Sequence, residues 1–314
     1  MARYTCRAQL HIVNSMQALL QFLQNHFPSA CNRAPDFWQL TRMHRPVGFL
    51  LLMWPTLWCL WIAGEGRPDP GLLVIFVLGT ICMRAAGCCI NDYADRHFDG
   101  KVKRTRDRPL VSGRVSPGEA LLTCAILCLV SFGLVLLTNT LTVLMSVVGL
   151  LLALCYPFMK RYTHMAQIFL GAAFSWGGMM AFTAQTGSLP VYAWLLYVGN
   201  VLWTVVYDTE YAMVDRDDDL EIGIKSTAIL FAEADRIVIA MLQLMFLMTM
   251  SLSARHFGLG GWFQSGLVLA GCFFVYQQVL IYTRSRDGCF KAFLNNNRVG
   301  MVVFLGTAID LFLP

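Results

Sequence analysis

Long apolar stretches separated by short polar segments make up most of this 314-residue chain. Nine of them approach the roughly 20 residues that an α-helix needs to cross the hydrocarbon core of a bilayer. They predict nine transmembrane helices over residues 46–63, 71–90, 117–137, 141–158, 165–185, 191–207, 235–253, 262–283 and 299–313. Pro55 and Pro157 are compatible with such helices, because neighbouring helices can satisfy the backbone groups that proline frees. The pattern therefore predicts an all-α membrane bundle.

The composition agrees with a membrane location. Hydrophobic residues make up 57% of the chain and charged residues 14%, whereas a soluble domain carries about 25% charged residues. The mean hydropathy is +0.56. Because a bundle of spanning helices counts as one unit, we expect a single membrane domain over residues 36–314. In the preceding extension, residues 1–35, apolar residues recur at helical spacing from Ile12 to Phe27 and predict a surface amphipathic helix.

Basic residues are distributed unevenly between the two sides of the predicted bundle. With nine spans and a cytoplasmic N-terminus, 21 of the 24 Lys and Arg residues fall on the cytoplasmic side, and only Arg67 and Arg255 on the other. Arg84 alone lies inside a span. Membrane topology thus explains the net charge of +5, and we predict no nucleic-acid partner. We expect a bacterial inner membrane; a mitochondrial presequence is the weaker alternative, suggested by the absence of acids before Asp36.

The eleven cysteines lie mostly inside apolar stretches and form no CxxC pair. Zinc sites and disulfide frameworks usually show such pairs or a regular spacing. We therefore predict that the cysteines are small apolar packing residues.

Two acidic segments share one spacing. The first places polar groups at Asn91 and at positions 95 and 99, and the second at Tyr211 and at positions 215 and 219. Residues four apart lie on the same face of a helix, and both segments fall on the predicted cytoplasmic side. Carboxylates that face each other repel unless a cation lies between them. We therefore predict a shared magnesium site with four catalytic carboxylates, Asp95, Asp99, Asp215 and Asp219.

Magnesium suits this set because it prefers oxygen ligands and usually combines a few carboxylates with substrate phosphates. A diphosphate bridged by such ions becomes a good leaving group. An EF-hand calcium site is excluded by the ligand spacing and the missing loop glycine. The alternative, solvated helix ends beside a membrane, is disfavoured by the presence of two matching segments on the same side.

Basic residues near the two segments suit the binding of a diphosphate, because guanidinium and ammonium groups form charge-assisted hydrogen bonds with phosphate oxygens. Lys103 and Arg106 we interpret instead as anchors at the membrane surface. The residues predicted to bind diphosphate are Asn91, Arg104, Arg108, Lys160, Arg161 and Lys225.

Arg84 is the basic residue that membrane topology explains least. It precedes Asp95 by eleven residues, nearly three helical turns, and so points the same way about 16 Å deeper. A charge at that depth usually lines a cavity or pairs with another charge, and Asp310 is the intramembrane acid that could pair with it. We predict that Arg84 lies on the wall of the substrate cavity. The residues predicted to bind the acceptor are Arg45, Arg84 and Tyr211, with the two arginines ranked above Arg161 for a carboxylate.

The two acidic segments resemble those of a known family. The patterns NDxxDxxxDxxxxRTxxRPL and YDxxYAxxDxxxDxxxGxxS are similar to those of the UbiA superfamily of intramembrane prenyltransferases. The resemblance covers roughly residues 38–313. The other stretches that carry it are Arg45-Pro-Val-Gly, Trp54-Pro-Thr, Met83-Arg-Ala-Ala-Gly-Cys, Tyr156-Pro-Phe-Met-Lys-Arg-Tyr-Thr-His and Phe290-Lys-Ala-Phe-Leu-Asn-Asn-Asn.

The resemblance implies nine spans around a central cavity, with two aspartate-rich cytoplasmic loops that bind diphosphate through Mg²⁺ and an arginine at position 161 that binds substrate. It implies transfer of a polyprenyl chain from polyprenyl diphosphate to 4-hydroxybenzoate in ubiquinone biosynthesis. The expected chemistry is magnesium-assisted ionisation followed by electrophilic substitution ortho to the phenol. Other acceptors, such as a naphthoate, homogentisate, haem or a chlorin, are the alternatives. A transporter is a remote one, because transporters place ionisable residues near the bilayer midplane.

Two positions depart from the family pattern. Gly178-Met179 stands where similar sequences often have Ile-Pro, and Glu233 follows Ala232 where a glycine is usual. Both positions lie away from the aspartates. We therefore expect them to affect helix geometry rather than the reaction.

Overall fold

The computed structural model describes residues 28–313, with side chains from residue 32 onwards. The amphipathic helix predicted before residue 28 lies outside the described residues. All regular structure within them is helical, without a strand, so the all-α prediction is confirmed. The α-helices are α1 (Pro28–Leu40), α2 (Val47–Ala63), α3 (Pro70–Asp95), α4 (Pro117–Val135), α5 (Thr140–Met159), α6 (Ala166–Thr186), α7 (Ala193–Ile222), α8 (Thr227–Phe231), α9 (Asp235–His256), α10 (Gly261–Leu280) and α11 (Arg286–Phe312).

The long helices of the described chain, α2 to α7 and α9 to α11, overlap the nine predicted stretches. Five helices in this part of the chain are long and apolar enough to cross a bilayer, which identifies a membrane protein with several spans. Helix α2 is apolar but has 17 residues, and α7 and α11 each carry polar residues toward one end. The number of nine spans stays a prediction.

Local chemistry explains where several helices begin and end. Ser116 and Glu119 form a reciprocal capping box at the start of α4. The side chain of Asn139 accepts a hydrogen bond from the backbone N–H of Thr142 and so caps α5. Helix α7 ends at Gly223, whose φ of +73° is a left-handed conformation that glycine adopts without strain.

Helix α11 begins well before the predicted span at residue 299, and most of the expected loop 284–298 is helical. The side chain of Ser285 caps its first turn. Buried Asn296 accepts a 2.8 Å hydrogen bond from Trp203 and donates one of 2.7 Å to Glu210. These tertiary hydrogen bonds overcome the low helix preference of asparagine, which arises because its side chain competes for backbone groups.

The aromatic core lies where α2, α7 and α9 meet. The ring centroid of Trp203 is 5.5 Å from that of Trp58 and 5.9 Å from that of Phe246. Helices α10 and α11 approach closely at Gly266, where an added Cβ would lie 2.8 Å from the carbonyl oxygen of Val302. Small residues at such crossings are typical of helices that pack in membranes. The core closes one side of the bundle and leaves a cavity on the other.

Candidate active site

A cavity of about 980 Å³ is lined mainly by helices α2 to α7 and by the first turns of α11. Its walls are largely apolar, and one end, here called the mouth, carries the charged residues of both acidic segments. The volume is at the upper end of the usual range for ligand pockets. Such a shape suits a long apolar ligand with a charged head group. The mouth is lined by Asn91, Asp95, Asp99, Arg104, Arg108, Lys160, Asp215, Asp219 and Lys225.

The first acidic segment closes α3. The helix ends at Asp95, and Asp99 begins a short 3-10 helix, Asp99–Lys101. Asn91 donates a 3.3 Å hydrogen bond to Oδ2 of Asp95, whereas Asp99 lies beyond the last turn of α3. The hydroxyl of Thr105 donates a 2.7 Å hydrogen bond to the backbone carbonyl of Asp99. Asp99 therefore reaches the mouth because the chain turns, not because it continues the face of the helix.

The second acidic segment is helical throughout, where the resemblance implied a loop. Asp215 and Asp219 lie one turn apart near the end of α7, and both are buried against the cavity. No glycine or proline occurs over residues 200–222, so the helix has no local reason to end before Gly223. A rigid helix rather than a flexible loop therefore carries these two carboxylates.

Arginines of the loop after α3 pair with acids of both segments. Arg104 pairs with Asp215 on α7, with Nη2 at 2.5 Å from Oδ2. Arg108 pairs with Asp99 in its own loop, with Nη1 at 2.6 Å from Oδ2. The guanidinium of Arg104 also lies over the ring of Tyr211, 4.6 Å from its centroid. The loop thus connects the two acidic segments across the mouth, where a diphosphate would compete for the same guanidinium groups.

Two acids at the mouth, Asp95 and Asp219, lack a close ion pair with an arginine. Lys160 Nζ lies 3.5 Å from Oδ2 of Asp95, and Asp219 has no ion-pair partner among the described residues. Burial and the neighbouring Asp215 raise the pKa of Asp219 to about 7. Burial also raises the pKa of Asp99. A cation bound at the mouth would stabilise the charged form of these carboxylates.

The acids of the mouth fit a divalent cation that is shared with a ligand. Among the side chains described from residue 32 onwards, no three of His, Cys, Asp or Glu converge closely enough to hold a metal ion alone. Mg²⁺ is usually held by one or two carboxylates together with substrate phosphates. The donors at the mouth are carboxylate oxygens, which Mg²⁺ prefers to thiolate or imidazole. The residues that fit Mg²⁺ bridged to a diphosphate are Asp95, Asp99, Asp215 and Asp219.

Lys225 and Arg161 were both predicted to bind diphosphate, but only Lys225 lines the cavity. Lys225 lines the cavity just after α7, and its ammonium group donates a 3.3 Å hydrogen bond to the carbonyl of Tyr162. Arg161 is exposed and lies outside the cavity lining, where it donates to the carbonyl of Ala94 in the last turn of α3. A cation at that place satisfies a free carbonyl group of the helix end. Arg161 therefore supports the end of α3 beside the mouth.

The residues predicted to bind the acceptor all line the cavity, including Tyr211. The Nε of Arg84 donates to the carbonyl of Gly48 at 3.2 Å, and its Nη1 donates to Sγ of Cys88 at 2.9 Å. An added Cβ on Gly48 would lie 2.8 Å from this guanidinium, so the glycine makes room for it. Arg45 is exposed. Arg84 and Arg45 both retain side-chain N–H groups that can donate hydrogen bonds to a carboxylate.

Asp310, the intramembrane acid identified from the sequence, has other partners. Its carboxylate accepts hydrogen bonds from the backbone N–H groups of Gly260, at 2.5 Å, and Trp262, at 2.9 Å. It therefore stabilises the start of α10. In the described part of the chain, Arg84 faces the cavity without a carboxylate partner.

The sequence reasoning gave no role to Asp92, Arg42 or Asp208. Asp92 is 1% exposed and is held by Arg42, at 2.7 and 2.8 Å, and by Arg108, at 3.0 Å. It lies out of phase with the four-residue spacing, so helical periodicity does not single it out. Asp208 lines the cavity. The sequence could have identified Asp208 as a cavity residue, because it precedes Asp215 by seven residues, nearly two helical turns, and so lies on the same face.

Sequence comparisons identify close relatives. A sequence model described as the UbiA prenyltransferase family matches residues 52–301. A 4-hydroxybenzoate octaprenyltransferase from Chromohalobacter salexigens is 59% identical over 285 residues, which cover 91% of this chain and 96% of that relative. A protein of the same name from Photobacterium profundum is 58% identical over 284 residues, covering 90% and 99%.

Solved structures share the fold. The apo structure of a UbiA homolog from Aeropyrum pernix matches with a TM-score of 0.73 at 23% identity, covering 82% of this chain and 97% of that one. A UbiA homolog from Archaeoglobus fulgidus, bound to GPP and Mg²⁺, matches with a TM-score of 0.69 at 16% identity, covering 88% and 99%. The family match over residues 52–301 and the relatives at 58–59% identity show that the chain belongs to the UbiA prenyltransferase family.

Proposed function

We propose that this chain transfers a polyprenyl group from polyprenyl diphosphate to 4-hydroxybenzoate, at the ring carbon ortho to the phenol, as a membrane step of ubiquinone biosynthesis. As a member of its family, the chain is a membrane prenyltransferase. The acceptor is supported by relatives of 59% and 58% identity that carry its name. The observation that carries the proposal is a single cavity that joins a charged mouth to an apolar interior.

The mouth suits a diphosphate. Arg104 and Arg108 now pair with carboxylates at 2.5 and 2.6 Å, and phosphate oxygens can replace these partners. Mg²⁺, when bound, would neutralise the charge that develops on the departing oxygens. We assign the metal to Asp95, Asp99, Asp215 and Asp219. We assign diphosphate binding to Asn91, Arg104, Arg108, Lys160 and Lys225, and we assign Arg161 a supporting role through its hydrogen bond to the end of α3.

The apolar interior suits the polyprenyl chain and the reacting carbon. A long isoprenoid gains free energy from every methylene that it removes from water. Ionisation of an allylic diphosphate leaves a cation that water would destroy, and a dry cavity prevents that side reaction. The interior therefore both binds the chain and protects the electrophile until the ring attacks.

The acceptor carboxylate requires a cation inside the cavity, because burying it unpaired costs several kcal/mol. Arg84 and Arg45 are the two candidates, since both line the cavity and retain free N–H groups. We assign Tyr211, at the level of the mouth, to contact with the aromatic ring. A transporter, the alternative from another class, would place its ionisable groups near the bilayer midplane, whereas here most of them surround the mouth.

We also propose that the chain lies in a bacterial inner membrane with nine spans, both acidic segments in the cytoplasm, and a single membrane domain after residue 35. The excess of basic residues on one side supports this arrangement. Reporter fusions should place segments 101–108, 216–225 and 287–297 in the cytoplasm. Segments 65–69, 187–190 and 255–260 should report from the other side. Acidic segments on opposite faces would contradict a shared diphosphate site.

Product analysis tests the function. Membranes that contain the chain are supplied with Mg²⁺, polyprenyl diphosphate and equal amounts of 4-hydroxybenzoate, a naphthoate and homogentisate, and the products are identified by mass spectrometry. We expect prenylated 4-hydroxybenzoate to dominate, and its formation to stop on chelation of Mg²⁺. Membranes with Asp215→Ala provide the control. Preferential prenylation of another acceptor would reassign the substrate, and no transfer to any acceptor would contradict the enzyme activity.

A further inference from the structure

One carboxylate on the cavity wall is assigned neither to the metal nor to either substrate. Asp208 lies on α7 and lines the cavity. It precedes Asp215 by seven residues, so it sits about 10 Å deeper on nearly the same face of the helix. Asp208 is therefore placed below the acids assigned to the metal, between the mouth and the apolar interior.

No cation in the described part of the chain is bonded to Asp208. Lys160, Arg84 and Arg104 lie close enough to act on it electrostatically. A carboxylate without a partner beside an apolar cavity is costly, and such groups usually serve binding or catalysis. Each of the three cations has other partners, which are Asp95 for Lys160, Gly48 and Cys88 for Arg84, and Asp215 for Arg104.

The depth of Asp208 matches the reacting part of the acceptor. By helical rise, Arg84 lies about 16 Å below Asp95, and Asp208 about 10 Å below Asp215. With the two acidic segments at one level, Arg84 and Asp208 differ in depth by about 6 Å, comparable to the length of a para-substituted benzene ring. An acceptor whose carboxylate binds Arg84 then places its phenol and the adjacent ring carbon at the level of Asp208.

We propose that Asp208 is the base that removes the ring proton, an inference that rests on the function proposed above. The bond between C1 of the polyprenyl chain and the diphosphate oxygen breaks, and both electrons leave with the diphosphate. The ring carbon ortho to the phenol then forms the new carbon–carbon bond. The Asp208 carboxylate takes the proton from that carbon, and the electrons of the broken C–H bond restore the aromatic ring.

The test compares Asp208→Asn and Asp208→Glu with Glu210→Gln. Glu210 is a matched control, because it is a buried carboxylate on the same helix that binds Asn296 and does not line the cavity. For each protein, kcat and both Michaelis constants are measured with 4-hydroxybenzoate and with the acceptor deuterated at the two carbons ortho to the phenol. The ratio of the two rates reports whether loss of the ring proton limits turnover.

We expect Asp208→Asn to lower kcat by about 100-fold or more, with little change in the Michaelis constant for polyprenyl diphosphate. Its deuterium isotope effect should rise clearly above unity, while the wild-type chain and Glu210→Gln stay near unity. Asp208→Glu, which keeps the charge but moves it, should show a smaller loss of kcat and an isotope effect between these limits.

Two outcomes would overturn the inference. One is a kcat for Asp208→Asn equal to that of Glu210→Gln. The other is a lowered kcat with an isotope effect that stays at the wild-type value, which would indicate a structural role. If Asp208→Asn does not accumulate in membranes, the isotope effect of Asp208→Glu decides the question. Failure of the wild-type chain to prenylate 4-hydroxybenzoate would instead refute the proposed function.

Discussion

Buried aspartates pair with arginines in two regions of the described chain, the mouth of the cavity and a joint where α7, α9 and α11 meet. Both regions bury carboxylates next to guanidinium groups, and both use the last turns of α7. The pairs of the mouth line the cavity, whereas none of the joint residues does. The joint consists of Arg216, Asp218, Asp235, Arg284 and Arg286.

In the joint, the charges are satisfied within the protein. Asp235 is fully buried and binds two arginines, Arg216 and Arg284, the latter at 2.9 Å. The backbone N–H of Arg236 adds a 2.6 Å hydrogen bond. Several charge-assisted hydrogen bonds to one carboxylate leave it no capacity for a ligand. The joint therefore holds helices together, and we expect it to take no part in substrate binding.

Two neighbouring residues show the difference most clearly. Asp218 accepts a 2.8 Å hydrogen bond from Arg286 and one of 3.3 Å from the backbone N–H of Lys103, which connects α11 to the loop after α3. Asp219 faces the cavity, and burial beside Asp215 raises its pKa to about 7. Asp218 thus connects elements of the fold, whereas Asp219, one residue further along α7, has no ion-pair partner among the described residues.

The largest effect should come from single acids of the mouth. Asp95→Ala and Asp215→Ala should each lower kcat by about 1000-fold or more, because each removes a carboxylate assigned to the metal. Activity is measured in membranes with equal amounts of inserted protein. The controls are Asp107→Ala and Asp217→Ala, whose side chains are 88% and 79% exposed, and both should stay near wild-type activity. Equal losses in all four variants would contradict the assignment.

In the joint, a substitution should affect stability rather than substrate use. Asp235→Asn should lower the free energy of unfolding by about 3 kcal/mol, because two arginines lose a buried partner. Thermal unfolding in detergent measures this, and the Michaelis constants of the remaining folded protein should not change. Asp287→Asn, which breaks the exposed pair with Lys291, should have no measurable effect. A selective rise in the Michaelis constant for polyprenyl diphosphate in Asp235→Asn would place the joint in the binding site.

The roles of Arg84 and Arg45 can be distinguished by measuring the Michaelis constant for each substrate. An added methyl group in Gly48→Ala would displace the guanidinium of Arg84. If Arg84 holds the acceptor carboxylate, Gly48→Ala and Arg84→Ala should raise the Michaelis constant for 4-hydroxybenzoate about tenfold or more. The constant for polyprenyl diphosphate should change little. Arg45→Ala is the matched comparison, and an effect confined to Arg45→Ala would move the carboxylate to the rim of the cavity.

The smallest effect concerns the turn between α8 and α9. Ala232 has φ +46° and ψ −118°, a conformation that a residue with a Cβ rarely adopts. Ala232→Gly should stabilise the protein by about 0.5–1 kcal/mol, because the relief of strain exceeds the entropy cost of glycine. The control is Ala234→Gly, where φ is −82° and the same change should destabilise. Equal melting temperatures for the two variants would show that the turn is not strained.

The sequence was sufficient to predict the helices, their order and the placement of both acidic segments at one end of the bundle. Hydrophobic length and the side on which basic residues lie are local properties, so they can be read without knowledge of contacts. The unusual position at residues 232–233 was also visible as a departure from the family pattern. The structure shows that the strained backbone is at Ala232 rather than Glu233.

The choice of partners for each charge was decided only by the tertiary structure. Helical spacing separated Asp219, which faces the cavity, from Asp218, but nothing in the sequence indicated that Asp218 binds Arg286. The early start of α11 and the place of Arg161 outside the cavity lining likewise depend on contacts between distant segments. The physical reason is that a charge in an apolar surrounding is stabilised by whichever groups the fold brings within a few ångströms. Spacing along the chain places a residue on a face of a helix, and packing decides what that face meets.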